Sequence, residues 1–222
     1  MTPFVIVGTG GLGRELLGWI SGCRKATRER FHVAAFISEG ADAGTVIHDL
    51  PVLHPNDWTS VPPRFVVAFA DPVAKKRLAL ALEARDWEPA TFIHDSAAVG
   101  AHARIGRGTV ICPFSRISTD SEIGDHVLVN GGSGIGHDAI VGSYSSLLGS
   151  VSVNGGSRVG EGVTFGAGSM IYPGKKVGDW ATIGLASVVL RNVPANATVF
   201  GNPAKRIDRS PTKRPFRKGL SG

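Results

Sequence analysis

The segment Ile123-Gly-Asp-His-Val-Leu-Val129-Asn-Gly-Gly-Ser-Gly-Ile135-Gly-His-Asp-Ala-Ile-Val141-Gly-Ser-Tyr-Ser-Ser-Leu147 places a large apolar residue at every sixth position. The same register takes in Ile93, Val99, Ile105, Ile111 and Ile117 upstream, and Val153, Val159, Phe165, Ile171, Val177 and Ile183 downstream, sixteen positions without an insertion. In a chain that is 42% hydrophobic, sixteen consecutive hits arise by chance about once in a million. Glycine follows the apolar residue in nine of the sixteen hexads, and the fifth place is Ala, Ser, Thr or Val in all except the hexad holding Lys175. A period of six would walk around a helix surface, and a hairpin sheet would alternate every two residues. Short strands with tight turns fit. Each hexad makes one flat face, its apolar residue points inward, and three faces close a triangular coil. The expected architecture is a parallel β-solenoid of a little over five coils, stacked at about the 4.8 Å strand spacing.

Outside the repeat, the chain opens with Phe4-Val-Ile-Val-Gly-Thr-Gly-Gly-Leu-Gly-Arg-Glu-Leu-Leu-Gly-Trp-Ile: an apolar strand, a glycine-rich turn and an amphipathic helix. Gly8, Gly10 and Gly13 match G-x-G-x-x-G in the strand-to-helix context that brings backbone N–H groups to a phosphate. A second strand is expected at Val33–Ile37, ending in Ser38-Glu39. A third is expected at Phe65–Phe69, leading into a helix through Lys75, Lys76 and Arg77. A dinucleotide site needs two mononucleotide halves, and the repeat starting at Ile93 leaves room for one. One half suits the nucleotide handle of an activated sugar better than NAD.

Charge is uneven. The net +6 is carried by seven basic residues against Asp208 from Lys205 onward, while residues 1–204 are balanced. The basic pI therefore describes the tail, and no nucleic-acid-binding body is expected. Cys23 and Cys112 form no disulfide framework. The opening residues lack a signal peptide's pattern, and no apolar run reaches the ~18 residues of a membrane span. A cytoplasmic protein without membrane insertion is expected. No metal-ligand spacing is visible.

The hexads Ile105-Gly-Arg-Gly-Thr-Val and Val159-Gly-Glu-Gly-Val-Thr resemble those of the hexapeptide-repeat acyltransferases. Four motifs in order resemble the PglD/NeuD sugar acyltransferase family: Gly8-Thr-Gly-Gly-Leu-Gly-Arg-Glu, Val67-Ala-Phe-Ala-Asp-Pro, Phe92-Ile-His-Asp-Ser-Ala and Phe200-Gly-Asn-Pro-Ala-Lys. The resemblance covers residues 3 to about 207. It implies an α/β half-Rossmann nucleotide-sugar-binding domain over residues 1–91. A left-handed parallel β-helix acetyltransferase domain follows over 92–209, then a basic tail over 210–222. It further implies acetyl-CoA as co-substrate, a homotrimer, and a nucleotide-linked amino sugar of the 4-amino-deoxy type as acceptor, for surface glycan synthesis. By position it assigns nucleotide contacts to Gly10, Gly11 and Leu12 in the turn and to Ser38 and Glu39 after the second strand. The family often carries an acid where this chain has Ser38.

Acetyl transfer needs a general base and a donor for the oxyanion. Four histidines, His94, His102, His126 and His137, fall inside the repeat. His137 stands out, because Asp138 follows it and the preceding Asn130-Gly-Gly-Ser-Gly-Ile-Gly is unusually small. Ile135-Gly-His-Asp-Ala-Ile-Val-Gly also resembles the family motif that holds the catalytic base, with Asp138 as its orienting acid. One coil on from His137, eighteen residues later, stands Gly155. By resemblance, its N–H lies near the acetyl carbonyl. Ser146 takes the place where amino-sugar members often have a second histidine, and is expected at the sugar. Gly166, Ala167 and Gly184 are expected along the CoA groove, with Lys205 and Arg206 on its phosphates. Two other readings remain open: an O-acetyltransferase of a sugar or sialic acid, and a non-catalytic sugar-nucleotide scaffold.

Overall fold

The structure, a computed structural model, describes residues 2–207; the tail expected over 210–222, and the last two residues of the span 92–209, lie outside the described residues. The hexads form three parallel ladders, one per face. The first face starts at Phe92–Ile93, the second at Ala98–Val99 and the third at Arg104–Ile105. Register advances eighteen residues per coil, as in Val110↔Leu128, Arg116↔Gly134 and Glu122↔Ile140. Every repeat position from Ile111 to Ile183 is at most 4% exposed and belongs to one core. Burying each such side chain stabilises the fold by about 1.5–3 kcal/mol before the entropy of ordering it is subtracted. Ile93 and Val99 are exposed, because no coil lies above the first one to cover them.

The small fifth residue of each hexad has a physical role. Thr109, Ser133 and Ser145 are buried, and each hydroxyl accepts the N–H of the residue eighteen positions on (Val127, Val151 and Val163, at 3.1, 3.1 and 3.0 Å). Each also donates to a carbonyl of the next coil, as Ser145 does to Gly160 at 2.9 Å. These hydroxyls staple successive coils and satisfy groups that burial would otherwise leave unpaired. The glycine after the apolar residue is a matter of space: a Cβ on Gly136 would lie 2.4 Å from the Gly155 nitrogen.

Ahead of the solenoid lie β1 (Phe4–Val7), α1 (Gly11–Gly22), α2 (Lys25–Arg30), β2 (Val33–Ile37), β3 (Val46–Ile47), β4 (Leu50–Leu53), β5 (Arg64–Val67), α3 (Pro72–Glu83) and β6 (Glu88–Pro89). The sheet order is β3-β4-β2-β1-β5-β6, parallel except for the β3–β4 hairpin. The third strand is thus Arg64–Val67 rather than Phe65–Phe69, and Ala68-Phe69 already turn towards α3. The chain leaves β1 towards β2 on one side and later returns to pair β5 on the other. A switch of direction in a parallel sheet opens a crevice at the strand ends. Among the described residues no helix is long and apolar enough to cross a membrane.

The sheet unit docks on the first face of the solenoid. Val110, Cys112 and Leu128 there share one apolar cluster with Phe4, Ile6, Leu16 and Ile20. Helix α3 adds polar ties. Lys75 is buried, donating from Nζ to the Ser146 hydroxyl at 2.6 Å and to the Ser145 carbonyl at 3.1 Å. Lys76 pairs with Glu161 at 2.5 Å. His126 is stacked between Phe65 and Tyr144, with Nε2 2.8 Å from the Glu83 carboxylate.

Burial lowers the Lys75 ammonium to about 7, against about 10.4 for a free lysine. Between those values the unfolded chain holds more protons than the folded one, so stability increases as pH rises through that window. Burial also pushes His126 below its ordinary range, which extends the loss of stability to lower pH. Urea unfolding should therefore show stability rising by roughly 1 kcal/mol per pH unit from about pH 7 to about pH 9. Lys75→Met should flatten that slope; an identical slope in both proteins would show that Lys75 is not its source.

Candidate active site

His137 sits in the turn between the second and third faces, flanked by the strands Gly134–Ile135 and Ile140–Val141. Its carbonyl accepts the Gly156 N–H at 2.8 Å, which ties it to the coil below. Its Nδ1 lies 2.7 Å from Asp138 Oδ2, and Asp138 itself holds a left-handed φ of 59°. A carboxylate can only accept, so Nδ1 donates, and in the neutral ring Nε2 is the acceptor nitrogen. The side chain is 69% exposed.

Gly155 lies directly against that nitrogen. A Cβ built on it would stand 2.6 Å from His137 Nε2 and 2.8 Å from Cε1. At the corner between the third and first faces the corresponding backbone N–H is capped by a side chain one coil on. Arg107 N–H is capped by Asp125, Asp125 N–H by Ser143 and Glu161 N–H by Asp179, at 2.7, 3.0 and 2.9 Å. Below Gly155 the same place is Pro173, which carries no acceptor. Among the described residues the Gly155 N–H makes no hydrogen bond. The corner thus joins an acceptor nitrogen, an uncapped donor and a bare glycine surface that continues to Gly174, where a Cβ would meet nothing within 4 Å.

The other expected contacts lie elsewhere. Gly166, Ala167 and Gly184 occupy the turns between the first and second faces, one full face from His137 in the same chain. A Cβ on Gly184 would lie 2.2 Å from the Phe200 ring, and one on Gly166 would lie 2.6 Å from the Leu185 nitrogen, so packing alone accounts for both glycines. Lys205 and Arg206 form a short exposed strand antiparallel to Thr198–Phe200. Ser146 was expected at the sugar. Its side chain is instead fully buried under α3 on Lys75, because its strand position faces the docked sheet unit.

A second cleft, of about 1140 Å³, opens at the C-terminal ends of β1, β2 and β5. Gly10, Ser38 and Glu39 line it, with Thr9, Arg14, Asp42 and Arg77. Gly8 needs its φ of 110°, and Gly13 has no room for a side chain, since a Cβ would lie 2.1 Å from the Gly8 oxygen. Helix α1 begins after Gly10, which lines the cleft, with no side-chain cap and no acid in its first turn, so no side chain caps its leading N–H groups. Gly11 is its first residue, whereas Leu12 packs towards the apolar cluster. Glu39 is held by Arg77 at 2.8 Å. Asp42, absent from the sequence expectations, accepts from the hydroxyls of Ser38, at 2.5 Å, and Thr9. Those bonds hold its carboxyl below the usual range. The clue in the sequence was an acid within five residues of the end of β2.

The chain is 31% identical over 220 residues to the GDP-perosamine N-acetyltransferase of Escherichia coli O157:H7, covering 96% of this chain and 99% of that enzyme. It belongs to the hexapeptide-repeat β-solenoid acetyltransferase family. No family model matches the chain. Among solved structures, this acetyltransferase resembles PerB from Caulobacter crescentus in complex with CoA and GDP-perosamine. The TM-score is 0.85 at 27% identity, over 94% of this chain and 98% of that one. It also resembles WeeI from Acinetobacter baumannii AYE, with a TM-score of 0.85 at 25% identity over 93% and 100% of the two chains. The shared solenoid is the left-handed parallel β-helix.

Gly155→Ala tests whether this corner is the site of acetyl transfer. No left-handed φ forbids alanine there, so folding should survive while the added methyl displaces the imidazole. Turnover should fall by about 100-fold or more, with the urea midpoint unchanged. Turnover at the wild-type level would show that Nε2 is not the working atom.

Proposed function

We propose that this acetyltransferase moves an acetyl group from acetyl-CoA to the amine of a nucleotide-linked amino sugar of the 4-amino-deoxy type, with His137 as general base. The observation that carries this reading is the contact of His137 Nε2 with Gly155 while Nδ1 is tied to Asp138. His137 Nε2 takes a proton from the attacking amine. The Gly155 N–H donates to the oxygen of the thioester carbonyl as it gains charge. The imidazolium, steadied by Asp138, returns its proton to the departing thiol sulfur. The relatives named for GDP-perosamine support an amine as acceptor, and surface glycan synthesis is the setting this reading implies.

In this reading the sheet unit, residues 1–91, is a half-Rossmann domain that holds the nucleotide in the strand-end cleft. Gly10, Gly11 and Leu12 meet the diphosphate, and Ser38 and Glu39 border the nucleoside. The solenoid, 92–209, carries the chemistry. Gly166, Ala167 and Gly184 belong to the CoA groove although they lie one face from His137. A homotrimer reconciles the two, since a neighbouring copy can bring its first corner to the His137 corner of this chain. Exposed apolar residues along the intervening face and its corners, Met170, Tyr172 and Leu185, support such an assembly. Lys205 and Arg206 suit the CoA phosphates. Free Cys23 and Cys112 fit the cytoplasm, where nucleotide sugars and acetyl-CoA are made.

Thiol release from acetyl-CoA, followed with a panel of UDP-, GDP- and dTDP-linked 4-amino sugars, tests the proposal. One amino sugar should drive release, and His137→Ala should lower kcat by about 10²- to 10⁴-fold. Release driven only by hydroxylated sugars, or full activity in His137→Ala, contradicts it.

A further inference from the structure

The strand-end cleft contains an acid whose placement is unusually well fixed. The Asp42 oxygens are engaged separately: Oδ1 accepts from Ser38 Oγ and Oδ2 from Thr9 Oγ1. The Ser38 oxygen is in turn occupied by the Gly40 N–H at 3.0 Å, which leaves its proton for Asp42. The loop is closed by Thr45, whose hydroxyl donates to the Asp42 carbonyl at 2.6 Å. A carboxylate has about two acceptor sites on each oxygen. One site on each remains open to a further donor, and Asp42 lines the cleft.

We infer that Asp42 accepts the two hydroxyls of a ribose, so that the sugar is carried by a ribonucleoside diphosphate rather than a 2′-deoxyribonucleoside diphosphate. The inference rests on the nucleotide site proposed above. An anion repels phosphate, so Asp42 does not belong to the diphosphate subsite at the start of α1. It is nonetheless one hydrogen bond from Thr9, which stands between Gly8 and Gly10 in that turn. A group one residue from the phosphates but excluded from them meets the ribose, the next unit of the nucleotide; the base edge lies farther off. Parallel α/β sheets that bind nucleotides commonly place an acid on the ribose from the end of the second strand. Here that end carries Ser38, and the acid returns from the following loop with Ser38 and Thr9 as positioning residues.

Calorimetric binding of GDP, 2′-deoxy-GDP, UDP and 2′-deoxy-UDP to the full chain tests this, with acetyl-CoA binding as the control for folding. For whichever base binds, the wild type should prefer the ribonucleotide by about tenfold or more, the penalty of leaving a charged acceptor unpaired. Asp42→Ala should weaken the ribonucleotide and bring the ratio close to one, Asp42→Asn should retain part of it, and Ser38→Ala should fall between wild type and Asp42→Ala. Nucleotides that bind with the same ribose-to-deoxyribose ratio in wild type and Asp42→Ala overturn the assignment while leaving the nucleotide site standing. Binding of acetyl-CoA but of none of the four nucleotides overturns the nucleotide site, and this assignment with it.

Discussion

Everything in the solenoid depends on the vertical stacking of equivalent residues at the spacing of neighbouring strands. That spacing, about 4.8 Å, decides which side chain fits over which. Inside the coil it demands a column of large apolar residues, and the chain supplies one from Ile111 to Ile183. At the corners it leaves so little room that glycine follows the inward residue again and again, as at Gly136 over Gly155. The same geometry puts the residue after Gly136, His137, on the residue eighteen places later. The candidate site is a ring above a bare glycine in that column, whereas the corner between the third and first faces stacks a backbone N–H on a capping Asp or Ser.

The second constraint is the docking of the sheet unit on the first face. Outward positions on the third face include Arg104, Glu122 and Arg158, as solvent-facing strands do. On the first face they carry Phe92, Val110 and Leu128, because helix and sheet residues cover them. The docking also buries Lys75 and His126, two groups that prefer to be neutral there. Their partners, the Ser146 hydroxyl and the Glu83 carboxylate, satisfy part of the cost.

How much of this was legible in the sequence follows from which contacts are periodic. The solenoid, its register and the pairing of His137 with Gly155 were readable because a fixed period turns sequence distance into spatial distance. Ser146 was misread because its partner Lys75 lies 71 residues away in another unit, where no period applies. Asp42 was overlooked because its meeting with Thr9 spans 33 residues across two strand ends. The two-residue strands β3 and β6 are too short to show any alternation. The glycines at 8, 10 and 13 were legible as a turn, and the clash that a Cβ on Gly13 would make with the Gly8 oxygen gives the physical reason for one of them.

The most direct test of the account is a crystal structure with CoA and a nucleotide-linked amino sugar bound together. The account predicts the acceptor nitrogen at about 3 Å from His137 Nε2, with the thioester sulfur position beside Gly155. An acceptor bound elsewhere, with His137 facing only solvent in the complex, would contradict it.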